Sequence, residues 1–343
     1  MSRRIAVVIV NFRTPGLALG AVDALIGERP AEPGLRVIVV DGGSGDGSAE
    51  RLRAGLAEPA RTGWTELLAC DLNGGFGWAN NQAMLRLLQG SDPPDYIHLL
   101  NPDTVIEPGA VSRLADVLDA YPGCAAVGSQ LLEPDGSPSG SAFVWPTIAS
   151  ELDRGAKLGL LGRLLGLKPF ETAAPAGEVD WATGASVMLR SRALREVGLF
   201  DTGFFLYFEE VELMWRMAEA GWAIRHEPAS RVAHVGGAAT GVNGSRPDAR
   251  RPPRPAYWYE SRRRFLALTQ GQAKAMIASL AWLGGHASLK ARRLIGSGGQ
   301  QPMVDRDARR LLQHGLAPAT ISPAITRWDD PPDAPPAWMA TRG

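Results

Sequence analysis

Four side chains in this sequence are of the kind that moves protons or holds a hard cation. Asp103 ends the run HLLNPD, Glu209 and Glu210 stand side by side after FFLYF, and His234 closes RVAH ahead of two glycines. An ionised carboxylate can take the proton of an attacking hydroxyl. An Asp oxygen and an imidazole nitrogen together suit a divalent cation whose other ligands are phosphate oxygens and water. Each residue also has a plain structural use. Asn, Pro and Asp favour turns, paired acids complement the dipole of a helix start, and a single histidine is commonly a packing residue. Glu212 and Arg216 fit an ordinary i,i+4 pair on the helix that Glu209 and Glu210 open and Gly221 ends.

Two Gly-rich stretches, DGGSGDGS from Asp41 and NGGFGWANN from Asn73, can cradle a diphosphate or simply turn the chain. Neither completes G-x-G-x-x-G, and there is no G-K-[ST], so dinucleotide and P-loop readings lack their fingerprint. Asp41, an acid at a strand end followed by glycines, can bond a ribose hydroxyl or a pyrimidine N–H, or cap a helix.

These residues need a scaffold that gathers them. Ile5–Val10 and Val37–Val40 are β-branched runs, and Pro15–Ile26 between them reads as a helix. Strand, helix, strand is a βαβ unit with parallel strands. Further strands are expected at Glu66–Ala69, Tyr96–Leu100 and Ala125–Leu132, with helices at 80–88 and 111–120. Successive strand ends then carry Asp41, the NGGFG loop and Asp103 to one sheet edge, where open α/β sheets bind ligands. Phe204, Phe205, Leu206 and Phe208 form a dense apolar run expected in the core.

The 343 residues allow two domains, or one large α/β domain with an appendage. The 36 basic and 36 acidic residues cancel, so nothing points to nucleic acid. Two cysteines without paired spacing argue against structural zinc or a disulfide framework. The start MSRRIAVVIVNF reads as a first strand rather than a signal peptide, and no segment reaches the ~20 apolar residues of a spanning helix. The division expected is a catalytic domain over 1–240, with a donor half to 132 and an acceptor half over 133–240. A linker (241–256), a basic amphipathic helical region (257–300) and a partly disordered tail (301–343) follow. Between residues 255 and 296, Arg262, Arg263, Arg264, Lys274, Lys290, Arg292 and Arg293 face a single acid, Glu260. That region is either a helix packed on the catalytic domain or an interfacial helix on an anionic membrane surface, with LGLLGRLLGL (158–167) as a second contact.

The segments VVIVNF, VDGGSGDGS, NGGFGWANN, LLNPDT, WATGASVMLR, EVGLFDTGFFLYFEEVEL and RVAHVGG resemble, in this order over roughly residues 5–240, glycosyltransferase family 2. They are most similar to its bacterial rhamnosyltransferase-like branch, which carries N-x-G-F-x-x-x-N-N, L-N-P-D and F-E-D-V-D-L segments. The resemblance implies a GT-A fold, a Rossmann-like, mostly parallel sheet flanked by helices, with a C-terminal helical appendage. It also implies a nucleotide-sugar donor and inversion at the anomeric carbon. Glu210 takes the catalytic-base position, and Asp103 and His234 hold Mg²⁺ or Mn²⁺. Asn11, Asp41, Gly43, Asn73, Gly75, Asn80 and Asn101 fall on the donor side; Trp181, Gly184, Ala185 and Glu209 fall on the acceptor side. Here Gly42 replaces a frequent Asn, Glu210 an Asp, and Asn101 the first acid of Asp-x-Asp. The implied reaction moves a sugar, first choice L-rhamnose from dTDP-rhamnose, to a glycan or polyprenyl-diphosphate-linked saccharide in bacterial surface polysaccharide synthesis. The expected place is cytoplasmic, peripheral on the inner face of the membrane. A nucleotidyltransferase and an inactive sugar-nucleotide-binding protein are the alternatives.

Overall fold

The computed structural model describes residues 3–159, 162, 174–234, 253–296, 306–316 and 321–340. Strand β1 (Ile5–Asn11) is buried along nearly its whole length, as its unbroken IAVVIV run requires of a strand covered on both faces. Helix α1 (Pro15–Leu25) starts on a proline, whose missing N–H costs nothing at that position. Then come β2 (Arg36–Asp41), α2 (Ser48–Leu56), β3 (Thr65–Ala69), α3 (Phe76–Gln89), β4 (Tyr96–Leu100), β5 (Thr104–Ile106), α4 (Ala110–Ala120) and β6 (Cys124–Leu132). Helix α3 begins four residues earlier than the sequence pattern predicts, because Gly75 at φ 89° turns the chain straight into it.

The second half is mixed. It runs through β7 (Ala142–Phe143), α5 (Ile148–Ala156), β8 (Gly177–Val179), β9 (Trp181–Ala182), β10 (Ser186–Arg190), α6 (Ser191–Val197), α7 (Glu209–Glu219) and β11 (Ala223–His234). Among the described residues the main sheet has nine strands in the order β3-β2-β1-β4-β10-β6-β11-β5, with β8 beside β11. The first four strands are parallel, and β10 runs antiparallel between β4 and β6. Hence the carboxyl ends of β1, β2 and β4 and the amino end of β10 share one edge, with Asn11 opposite Asp41 and Leu100 opposite Ser186. A buried polar chain crosses this sheet: His98 Nε2 to Ser186 Oγ at 3.0 Å, Ser186 to Ser129 at 2.8 Å, and Ser129 to Ser230 at 2.9 Å. Burial pushes His98 down to about 3, so its ring is neutral there.

Helices α8 (Ala256–Gln270) and α9 (Gln272–Leu294) follow, and α9 crosses α5 at a pair of glycines. A Cβ on Gly155 would lie 2.2 Å from Trp282 O, and one on Gly285 would lie 2.3 Å from Leu152 O. Gly285 is thus a packing contact between helices, and no described helix is long and apolar enough to cross a membrane.

Two expectations need correction. Arg262 and Arg264 do not form a basic outer face. The Arg262 side chain is 1% exposed, with its guanidinium 2.6 Å from Glu151 Oε2 and 2.9 Å from Ser279 Oγ. Arg264 reaches both oxygens of buried Asp201 at 2.8 Å. A desolvated arginine needs such a partner, so these charges hold α8 to the domain. Secondly, residues 321–340 of the expected tail lie along α3. Leu199 N donates to Thr326 O (2.8 Å), the Trp78 indole to Ala334 O (2.7 Å) and Asp333 N to Gln82 Oε1 (2.7 Å). Its prolines suit an extended path, and its tryptophans anchor it. The linker residues 241–252 and most of LGLLGRLLGL lie outside the described residues.

Burial alone would raise the Glu151 carboxyl, but Arg154 and Arg262 more than offset it. Glu151→Ala leaves buried Arg262 without its carboxylate and should cost about 3–5 kcal/mol in denaturant unfolding. Lys274→Ala, on the exposed side of α9, should change stability by less than about 0.5 kcal/mol. Equal effects would contradict the buried role.

Candidate active site

A cavity of about 490 Å³ opens at the sheet edge where these strand ends meet. Its described walls include Gly42, Asn73, Gly75, Asn101, Asp103, Gly184, Ala185, Glu209, Glu210 and His234. Residues far apart in sequence are brought together by register. Asn101 N donates to Ala185 O at 2.9 Å, and the Thr104 hydroxyl to Asn101 O at 2.6 Å. These bonds fix the turn that presents Asp103. His234 pairs with Thr104 across β11 and β5, which brings its Nε2 to 3.3 Å from Asp103 Oδ1.

Not all expected donor residues face the cavity. Asp41 is 2% exposed and its oxygens are engaged by Asn11 Nδ2 (2.7 Å), Ser44 Oγ (2.6 Å) and Ser44 N (3.2 Å). Asn11 in turn accepts from Thr14 N at 3.1 Å, at the start of α1. Asp41 and Asn11 therefore shape the first two loops, while Gly42 lines the wall. Gly43 is required by a neighbouring loop: its Cβ would sit 2.3 Å from the Leu72 carbonyl carbon. Gly75 is stricter still, with φ 89° and a Cβ position 1.9 Å from Phe205 O. Asn73 closes an Asx turn onto Gly75 N at 3.1 Å, and Asn80 bonds Phe76 O at 2.9 Å within α3. Trp181 is turned to packing, stacked on Phe143 at 4.2 Å with its indole bonded to Val144 O, and does not line the cavity.

The paired acids are held by unusual backbone. Tyr207 (φ 71°) and Phe208 (φ 68°) are both left-handed, a conformation that costs of order 1–3 kcal/mol per residue outside glycine. The strain turns the chain abruptly into α7 and sets both glutamates in the cavity wall. Gly184 packs against Glu210, whose Cβ lies 3.4 Å from where a Cβ of residue 184 would sit. Glu209 Oε2 and Glu210 Oε2 are buried without a hydrogen-bond partner. Burial raises both carboxyls, and the neighbouring Glu210 charge adds to the rise at Glu209. Two like charges this close do not both ionise easily, so the pair resists carrying two charges at once.

Phe205, Leu206, Tyr207 and Tyr257 also line the cavity. The expectation that Phe204, Phe205, Leu206 and Phe208 are buried core holds for Phe204, 1% exposed, but the other three are only half-buried. The chain reverses at Tyr207 and Phe208, which alternation cannot reveal. Tyr257 lies outside the segments that carry the resemblance, at the start of the basic helical region expected from residue 257.

The described lining contains no Lys or Arg, yet it has three acids, Asp103, Glu209 and Glu210. A diphosphate placed there would be repelled without a cation. Asp103 and His234 supply an oxygen and an imidazole nitrogen that converge at this wall, a donor set fit for Mg²⁺ or Mn²⁺. No cluster of three or more possible ligands occurs among the described residues. Phosphate oxygens and water would complete the shell.

No protein-family profile matches the chain. Over 231 residues, 64% of this chain and 71% of the relative, it is 30% identical to an N-acetylglucosaminyl-diphospho-decaprenol L-rhamnosyltransferase of Mycobacterium tuberculosis strain H37Rv. It is 25% identical over 169 residues to the rhamnosyltransferase WbbL of Escherichia coli K12, covering 47% of this chain and 60% of that one. A mannosyltransferase of Pyrobaculum calidifontis in complex with GDP-Man and Mn²⁺ superposes with TM-score 0.53 at 15% identity, covering 92% of this chain and 80% of the other. GalNAc-T7 with UDP, GalNAc and Mn²⁺ gives 0.56 at 13% identity, covering 95% and 55%. These structural likenesses establish the GT-A fold.

The raised Glu209 carboxyl has a consequence for stability. A folded value above the unfolded one favours the folded state fully at low pH, and that benefit is lost as pH rises from the ordinary 4.5 through the raised value. Glu209→Gln removes the titration. Thermal melts should therefore place the variant above wild type at pH 7–8, with the gap closing towards pH 4. A gap independent of pH would contradict a raised Glu209 carboxyl.

Proposed function

The chain belongs to the rhamnosyltransferase-like branch of glycosyltransferase family 2, and from that premise we propose that it transfers L-rhamnose, with inversion, from dTDP-rhamnose to a polyprenyl-diphosphate-linked N-acetylglucosamine. The observation that carries the proposal is the convergence, in one cavity, of Glu210 with the Asp103–His234 pair. The activity in the name of the mycobacterial relative supports the choice of sugar and acceptor.

In this reading Glu210 accepts the proton of the acceptor hydroxyl as that oxygen bonds to C1 of the donor sugar. The C1–O bond to the nucleoside diphosphate breaks from the opposite face, and its electron pair leaves with the phosphate. Glu210 is suited to the task, because burial raises its basicity. Asp103 and His234 would hold the divalent cation, which when bound neutralises charge on the departing diphosphate. Asp41 and Asn11 act on the donor indirectly, by fixing the loop whose Gly42 borders the cavity.

A lipid-linked acceptor places the enzyme at the cytoplasmic leaflet. With Arg262 and Arg264 engaged internally, the surface fitted to lipid is the outer side of α9. Met276, Ile277, Leu280 and Leu294 lie exposed there, Leu280 at 53% and Leu294 at 89%, and exposed Lys274 and Lys290 flank them. Apolar residues bordered by lysines suit an anionic interface.

Three measurements test these assignments. Glu210→Gln should lower kcat by roughly 10²-fold or more while donor binding persists, and Glu209→Gln should lower it far less. Asp103→Ala should abolish transfer at every Mn²⁺ or Mg²⁺ concentration tried; near wild-type turnover in that titration would refute the cation site. Cosedimentation with anionic liposomes should weaken with salt and with Ile277 and Leu280 both changed to Ser. Binding indifferent to both changes would remove α9 as the lipid-facing surface.

A further inference from the structure

We propose that Phe205, Tyr207 and Tyr257 form the subsite for the pyranose ring of the acceptor, and that Trp338 is the positioning residue that holds this aromatic wall. The inference rests on the glycosyl-transfer reading of the same cavity and extends it to residues 253–340, to which that reading gives no part in the chemistry.

The location follows from the base. A general base must lie within hydrogen-bond reach of the hydroxyl it deprotonates, so the acceptor ring lies next to Glu210. Tyr207 stands three residues before Glu210 on the same connection, and Phe205 two residues before Tyr207. Tyr257 reaches the same cavity from the first turn of α8. The Tyr207 and Tyr257 rings are near parallel, 21° apart at 6.0 Å, and Phe205 meets Tyr257 edge-on at 5.2 Å. The three side chains are half-buried, so each retains open surface.

The chemistry of this wall suits a sugar ring better than a phosphate. An aromatic face is electron-rich and attracts polarised C–H groups, which a pyranose presents on its axial side. The phenol groups add a polar tip for ring hydroxyls. With no Lys or Arg among the described lining, the aromatic wall offers a diphosphate nothing, and the hard ligands Asp103 and His234 mark where phosphate belongs.

Trp338 lies behind the wall rather than in the cavity. Its ring meets Phe205 edge-on at 5.0 Å, its indole N–H donates to Gly74 O at 2.9 Å, and its backbone N–H donates to Thr202 O at 3.2 Å. One side chain therefore joins the loop before α3 to the segment carrying Phe205, and these two loops already touch through Phe76 N and Phe205 O at 3.2 Å. Tyr257 supports Phe205 from the other element. Loss of either partner frees the ring to rotate away.

Steady-state kinetics with dTDP-rhamnose and a water-soluble alkyl-diphospho-N-acetylglucosamine separate the two substrates. Tyr257→Ala should raise the acceptor KM about tenfold, the size of one ring-face contact, with donor KM within about twofold of wild type. Tyr257→Phe should restore most of it, because the face remains. Trp338→Ala should raise the acceptor KM in the same sense, with Trp338→Phe intermediate, and with a melting temperature close to that of wild type. An unchanged acceptor KM in Tyr257→Ala overturns the subsite. So does a rise in both KM values that tracks a falling melting temperature, or a Tyr257→Phe variant as impaired as Tyr257→Ala. Failure of the underlying reading is seen in wild type alone, as nucleotide release from the donor with no product on this acceptor, and it would overturn the inference with it.

Discussion

The contact on which the site depends is the approach of Gly75 to the carbonyl of Phe205. Any Cβ at residue 75 would lie 1.9 Å from that oxygen, and the left-handed φ of 89° reinforces the demand for glycine. The contact lets Phe76 N bond Phe205 O and start α3, and it brings the loop after β3 against the segment that ends in the two glutamates. Asn81 repeats the link one turn on, exchanging hydrogen bonds with both backbone groups of Phe200 at 2.9 and 3.0 Å. The position of Glu210 is therefore set from across the sheet edge and not by its own helix alone.

Electrostatics then acts on two adjacent, chemically identical residues. Glu209 and Glu210 both lose water on burial, and neither carboxylate gains a cationic side chain. Glu212, one turn along on the same helix, shows the contrast. It is as buried, but Arg216 holds it at 2.7 Å in a structural pair that also bonds the carbonyls of Val197 and Leu199. Acids left unpaired in a cavity cost stability, and a proton acceptor is a use that repays such a cost.

The parallel half of the sheet was legible because its strands are β-branched runs that stop at polar or Gly-rich turns, so that Asp41 and Asp103 had to reach one edge. The GT-A fold inferred from the ordered motifs is the fold observed. Side-chain direction was not legible. The sequence marks Asp41 as an acid at a strand end but not that Asn11 and Ser44 occupy its oxygens. It marks Trp181 within WATGAS but not that Phe143 takes its ring face. Charge counting failed for Arg262 and Arg264 because their partners, Glu151 and Asp201, lie more than sixty residues upstream in one case and over a hundred in the other. Helix α5 escaped detection because its apolar side is made by glycine and alanine as much as by large residues.

The segment over 321–340 has a kinetic consequence. The Trp338–Gly74 hydrogen bond spans 264 residues of chain, and Trp78–Ala334 spans 256. At ribosomal speeds of about 5–20 residues per second, the loop before α3 emerges roughly 13–50 s before its partner exists. The βαβ half of the sheet, built from local contacts, can form in that interval, whereas the wall behind Phe205 cannot. Contacts of such separation also carry the largest loop-closure entropy and form late. The nascent enzyme thus passes through a state with a finished sheet and an open cavity, and catalytic competence is acquired in a step separate from folding of the sheet.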